Sequence, residues 1–220
     1  MYLALATVFD VKGTDDRQTA ELVLARLHWF YAELDLLEAQ VRASSISTHL
    51  YDSAFMRVRM VTSPLNLPAG WHGVRGNLTP DVLLALAFLN ELLPDEETLI
   101  AAEELQAIAQ DVAELQELLS KSTLPDSLRR LIEHHLQLIM LALAQYPVQG
   151  ARSLREVART AVGEIIEAKG TIVVPQNAEE VSTLERLWKR VNTAADIALK
   201  AEKVGQLAQK AIDAFQALAQ

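Results

Sequence analysis

Apolar residues recur every three or four positions along most of this chain, which is the spacing of one face of an α-helix. The clearest stripe runs through Leu105, Ile108, Val112, Leu115 and Leu119. Half of the 220 residues are apolar but only 5% are aromatic, so the apolar residues are mainly Leu and Ala, which favour helix. The 8 glycines and 7 prolines are too few for the turns of an all-β protein. The sequence therefore predicts an all-α fold, a bundle of about six to eight helices with antiparallel packing.

Residues that typically begin or end helices divide the chain. Thr79 and Pro80 are typical of a helix start, and Pro147 is expected to end the helix before it. The longest irregular segment covers residues 63–77, where prolines and glycines recur. Segment 46–62 is read as helix, although its apolar residues partly alternate. The stretches predicted as helices between these breaks are residues 18–43, 80–93, 95–121, 124–146 and 153–169.

The last fifty residues are expected to differ from the rest. Residues 1–170 are predicted to form the helical bundle core, and residues 171–220 a short linker and one long C-terminal helix over about 178–218. The middle of that helix carries a stripe of Ala and Gly, and small side chains allow another helix to approach closely. The sequence leaves two partners open for the stripe, namely the core of the same chain or a second copy in a homo-oligomer.

Composition excludes several classes of protein. The chain contains no cysteine, which rules out disulfides, thiolate zinc sites and cysteine nucleophiles. It has no apolar run long enough to span a membrane, and its first residues lack the basic region of a signal peptide. We therefore expect a cytoplasmic protein without a membrane span.

Charge is distributed unevenly along the chain. The net charge is −9, and residues 76–120 contain ten acids and no Lys or Arg. Nucleic-acid binding depends on basic residues that displace counterions, so this composition does not favour it. The acidic stretch is interpreted either as the solvated side of two helices or as a surface for a basic partner.

Motifs for metals, cofactors and common hydrolytic sites are absent from the sequence. None of the five histidines has Glu three residues before it, and no His-Glu-x-x-His is present. Phosphate-binding glycine loops and the Gly-x-Ser-x-Gly turn are also missing. We expect no metal and no cofactor.

One catalytic pattern does occur, in the segment from Arg129 to His135. Arg-x4-His appears there twice, as Arg129/His134 and Arg130/His135. This pattern resembles the signature of the HEPN endoribonucleases, which are all-α and act without a metal. The resemblance implies a histidine near the scissile phosphate and an arginine that stabilises it, at a dimer cleft. Histidine is suited to proton transfer from a 2′-hydroxyl, and arginine to holding phosphoryl oxygens.

A broader resemblance extends from about Trp71 to Gly163, where the shared features are helix starts and ends rather than chemistry. The region is similar to uncharacterised all-helical bacterial proteins that are often encoded on mobile genetic elements. The similarity implies a role in defence or toxin immunity but supplies no functional residues. Its carrying residues are Trp71, Asn77-Leu78-Thr79-Pro80, Leu93-Pro94-Asp95-Glu96, Leu124-Pro125, Tyr146, Gly150 and Gly163-Glu164.

These observations favour a non-enzymatic protein-interaction module, with self-association as one form of it. The acidic stretch over residues 96–117 and the small-residue stripe of the last helix are its expected surfaces. The alternative is a HEPN-like, metal-independent endoribonuclease that uses one of the two Arg-x4-His pairs.

Overall fold

The computed structural model describes residues 1–92, 98–168 and 179–197. Within these ranges the chain forms nine α-helices and no strand, which confirms the all-α class. The count exceeds the expected six to eight because two helices, of seven and four residues, are too short to show periodicity. The helices are α1 (Tyr2–Val8), α2 (Asp16–Ala43), α3 (Asp52–Thr62), α4 (Trp71–Val74), α5 (Pro80–Leu92), α6 (Ala102–Lys121), α7 (Asp126–Gln149), α8 (Ala151–Ala168) and α9 (Glu179–Ile197).

Local signals place the start of α5 correctly, because this helix begins at Pro80 as Thr79 and Pro80 predict. The Asp15 carboxylate accepts a hydrogen bond from the Gln18 N–H at 2.8 Å and so begins α2 as an N-cap. Segment 46–62, read as helix from the sequence, contains a short 3-10 turn at Thr48–Leu50 and then α3.

Two predicted boundaries are wrong. α7 does not end before Pro147 but continues to Gln149. A proline this close to the end of a helix removes only one of its last hydrogen bonds, and the Gly150 N–H still donates to the Tyr146 carbonyl at 2.9 Å. The helix predicted from residue 95 begins only at Ala102. The buried Ile100 just before it donates its N–H to the Tyr146 hydroxyl at 2.7 Å, which satisfies that group outside a helix.

The contacts between helices divide the chain into two compact units. Unit 1 contains the described residues within 1–96 together with Pro147–Gln149, and unit 2 contains the described residues within 97–146 and 150–197. The boundary expected between residues 170 and 171 falls in the stretch 169–178, which lies outside the described residues, and it stays a prediction.

Unit 1 is organised around the long helix α2. The N-terminal half of α2 buries Val23 and Leu27 in a cluster with α1, where Leu5 and Phe9 are also buried. Its C-terminal half buries Leu34 and Val41 in a second cluster that it shares with α3 and α5. Trp71 is half-buried against the first cluster, so this tryptophan fills space in the core of unit 1.

Unit 2 has one core, to which α6, α7, α8 and α9 all contribute. The stripe predicted on α6 is its contribution, since Ile108, Val112, Leu115 and Leu119 are buried there. α9 contacts both α6 and α8 and brings Trp188, the largest fully buried side chain of the chain's described part.

The small-residue stripe of the C-terminal helix is described only in its first part. Leu187, Val191 and Ala194 of this stripe are buried in the core of unit 2, so within α9 the stripe is covered by the same chain. The remainder, and with it the predicted extension of the helix to residue 218, lies outside the described residues.

Candidate functional site

The guanidinium of Arg129 is engaged at the end of α6. It donates one hydrogen bond to the Leu119 carbonyl at 2.8 Å and a second to the Ser122 carbonyl. The last carbonyls of a helix lack intrahelical partners, and a cation there also complements the helix dipole. Arg129 therefore satisfies the C-terminus of α6, while Arg130, the other arginine of the motif, is exposed.

His135 lies in the core of unit 2 with no solvent exposure. Its Nδ1 accepts a hydrogen bond from the indole N–H of Trp188 at 3.2 Å, and the two rings meet edge to face with centroids 5.7 Å apart. Because Nδ1 accepts, the proton of the neutral ring resides on Nε2. That atom faces Oε2 of Glu164 at 3.3 Å.

The carboxylate of Glu164 joins the two adjacent histidines. Its other oxygen, Oε1, lies 3.0 Å from Nε2 of the half-exposed His134. α7 supplies both histidines, α8 supplies Glu164 and α9 supplies Trp188. We call these four residues the histidine cluster.

Burial fixes the protonation state of His135. Removal of the ring from water is the main reason that the pKa of His135 is lowered to about 4. The attraction of the Glu164 carboxylate for the charged form opposes this shift, and the neighbouring His134 adds to it. The ring is therefore neutral at pH 7 and bound on its Nδ1 side. A phosphodiester has no access to a ring with no exposed surface, so this geometry suits a structural histidine better than a catalytic one.

The structure thus brings together both predicted histidines but assigns the two arginines to other surroundings. Sequence reasoning missed Glu164 and Trp188, which lie 30 and 53 residues from their histidine partners. No spacing rule connects residues so far apart in the sequence. Among the described residues, no group of three or more potential ligands is arranged to hold a metal ion.

Three acids of α6, within the acidic stretch, are paired with α9 in unit 2. The Asp111 carboxylate accepts a hydrogen bond from Nε of Arg190 at 2.7 Å, and Glu104 lies 3.6 Å from the same guanidinium. Glu114 accepts from Arg186 at 3.1 Å. α9 therefore neutralises much of the negative face of α6, which reduces what that face offers to a basic partner.

A shallow depression in unit 1 collects charged residues that are also paired. Its volume is about 300 Å³, and it lies between α2 and α3. Glu38 at its wall binds Arg42 at 2.5 Å and Arg59 at 2.9 Å, and Arg59 also binds Asp35 at 2.6 Å. Both guanidinium groups at this depression are thus paired with carboxylates of unit 1.

Within the described residues, an apolar surface without an intramolecular partner lies on α5. One side of this helix packs on the second cluster of unit 1 through Val82 and Leu89. Another side carries Leu84, Phe88 and Leu92, whose spacing of four places them in one row and whose exposed fractions are 71%, 50% and 47%. We call this row the α5 apolar stripe. Large side chains grouped in this way are typical of a binding surface.

The neighbouring helix α3 adds to the exposed apolar surface of unit 1. Met56 and Met60, four residues apart, are both exposed, and α3 packs against α5. Methionine is flexible and polarisable, which suits it to contacts with partners of varied shape.

None of the described helices is long and apolar enough to cross a bilayer. Comparison with protein-family models, with curated proteins and with solved structures gave no match for this chain.

Proposed function

We propose that this chain is a non-enzymatic protein-interaction module that binds its partner through the α5 apolar stripe. The exposure of Leu84, Phe88 and Leu92 is the observation that carries the proposal. A helix that is apolar on nearly all sides is normally covered on all sides. In α5 only Asp81, Asn90 and Glu91 are strongly polar, yet only one side is buried. A partner that covers the stripe would remove this apolar surface from water.

A covalent capture experiment tests the proposal. A photoreactive phenylalanine analogue placed at Phe88 of the full chain, in its native cell, is expected to give a discrete adduct upon illumination. Leu84→Asn in the same chain should abolish that adduct, because it places an amide in the middle of the row. The matched control carries the analogue at Leu65, which is 90% exposed but stands outside the stripe. The proposal would be contradicted if both positions gave adducts in equal yield, or if Leu84→Asn left the adduct yield at Phe88 unchanged.

We also propose three further features that the sequence predicts. These are the arrangement of the helices as a bundle, a long C-terminal helix that takes part in self-association, and a role in bacterial defence or toxin immunity. The pairing of Asp111, Glu114 and Glu104 with α9 supports the α5 stripe over the acidic stretch as the binding surface.

A metal-independent endoribonuclease is the second proposal, and His134 is the observation that favours it. This ring is half-exposed and held by Glu164, so it is the one histidine of the cluster that a substrate can reach. His134→Ala should then abolish RNA cleavage without loss of thermal stability, whereas His72→Ala, at an exposed position of unit 1, should leave cleavage unchanged. A chain that shows no RNA cleavage in the first place contradicts this second proposal.

A further inference from the structure

We propose that the partner of the α5 apolar stripe is an amphipathic helix of another protein, with large apolar residues spaced three or four apart and basic residues beside them. This inference rests on the proposed function and concerns only the chemistry of the partner. The shape of the stripe indicates that the partner is a helix with an apolar row. Leu84, Phe88 and Leu92 form a straight row of one side chain per turn, and such a row packs against a second helix that carries its own apolar row.

The charges around the stripe indicate that the partner carries basic residues beside its apolar row. Asp81 stands near the start of α5 and Glu91 near its end, and both are exposed. The last turn of α5 contains no basic residue, so the Glu91 carboxylate adds to the negative end of the helix dipole. No ion pair among the described residues involves Glu91. A partner with Lys or Arg at this end would meet both negative groups, whereas an acidic partner would be repelled.

The two ends of α5 differ in how much charge they offer. The Asp81 carboxylate accepts a hydrogen bond from Thr79, which together with its own backbone and the nearby Arg57 lowers the pKa of Asp81. Arg57 also donates to the Thr79 hydroxyl at 3.4 Å. Asp81 therefore has a basic neighbour within unit 1, whereas Glu91 has no ion pair in the part of the chain that the structure describes. The preference for a basic partner should depend mainly on Glu91.

The same charges argue against the α5 helix of a second copy of this chain as the occupant. Residues 76–120 contain no Lys or Arg, so the α5 helix of another copy would bring further carboxylates to this surface and no compensating cation. Like charges placed across an interface disfavour that pairing. The basic residue must come from a different helix.

Two designed helical peptides and the full chain test the inference. Both peptides carry the same leucine row, but one is flanked by lysines and the other by glutamates. Fluorescence anisotropy at low salt should show the lysine peptide binding roughly tenfold more tightly, with the difference shrinking as salt rises. Glu91→Gln should remove most of this preference without weakening the glutamate peptide. The control Glu103→Gln, an exposed acid on α6, should preserve the preference.

The outcomes separate this inference from the proposed function. If the two peptides bind equally well and Leu84→Asn abolishes the binding of both, the stripe is a binding surface but the inference that its partner is basic is wrong. Failure of both peptides to bind would overturn the proposed function and this inference with it. A chain that sediments alone as a dimer, and as a monomer after Leu84→Asn, would identify a second copy as the occupant and overturn the basic partner.

Discussion

The neutral imidazole of His135 makes the stability of unit 2 depend on pH. In the folded chain burial lowers the pKa of His135 to about 4, whereas the ordinary value is 6.5. Between these two values the unfolded chain binds the proton and the folded chain does not. The free energy of unfolding is therefore unaffected by this group above pH 6.5. As the pH falls from 6.5 toward 4, proton binding by the unfolded chain lowers the free energy of unfolding by about 3 kcal/mol in all.

Substitution of this ring should flatten that dependence. His135→Asn keeps an acceptor near the position of Nδ1 for the Trp188 indole but cannot be protonated in this range. We expect its free energy of unfolding to be lower than that of the parent at pH 7 and to fall less between pH 6.5 and 4.5. Urea titrations followed by tryptophan fluorescence measure this. Trp29 and Trp71 lie in unit 1, so Trp29→Phe and Trp71→Phe make Trp188 the only reporter.

The control for this measurement is His49→Asn, at an exposed position of unit 1. It should preserve the full acid dependence reported by Trp188. If His135→Asn and the parent lost stability in parallel over the same pH range, the assignment of the effect to His135 would be wrong.

At the scale of the helices, α9 is the element that closes the core of unit 2. It packs against α6 and α8, and Leu184, Leu187, Trp188 and Val191 are all buried. Adjacent positions on this helix have opposite environments, since Leu187 is fully buried while Arg186 is 54% exposed. Substitutions at these two positions therefore form a matched pair, one in the core and one at the surface of the same helix.

Leu187→Ala should destabilise unit 2 by about 3 kcal/mol, because it removes buried methyl groups and leaves a cavity. Arg186→Ala breaks an exposed ion pair with Glu114 and should cost less than about 1 kcal/mol. Urea unfolding followed by Trp188 fluorescence gives both values. Equal losses in the two variants would show that α9 is not part of the core.

The elements that the sequence predicts well are those defined by neighbouring residues. The α6 stripe follows from spacings of three and four, and the start of α5 follows from Thr79 and Pro80. The end of α7 was misplaced because the effect of Pro147 depends on how many helical residues follow it. Glu164 and Trp188 could not be found, since their contacts with α7 exist only after three helices have packed together. The composition of α5 shows that it is apolar, but only the tertiary contacts show which side stays uncovered.

At the scale of the whole molecule, net charge and exposed apolar surface act against each other. The chain carries a net charge of −9 at pH 7 and has a pI of about 5.1. Mutual repulsion between copies therefore disappears as the pH approaches 5, while the α5 apolar stripe stays exposed. Loss of repulsion allows apolar surfaces to associate.

Light scattering should accordingly rise as the pH is lowered from 7.5 to 5.1, and the combined substitution Leu84→Gln and Phe88→Gln should suppress the rise. Neither change alters the net charge, so any difference from the parent reports the stripe. Leu65→Gln serves as the control, since Leu65 is exposed outside the stripe. The rise in light scattering should also occur in His135→Asn. If it does not, the association is caused by partial unfolding of unit 2 and not by the stripe.

The position of α9 in the chain also matters while the protein is being made. Its partner α6 is synthesised first, and the ion pair between Glu114 and Arg186 spans 72 residues. At about 5–20 residues per second, the ribosome needs several seconds to add that length. During this interval Ile108, Val112 and Leu115 have no α9 to cover them. The nascent chain therefore exposes this apolar face of α6 until α9 has been made, and chaperones that recognise such faces should bind it during this interval.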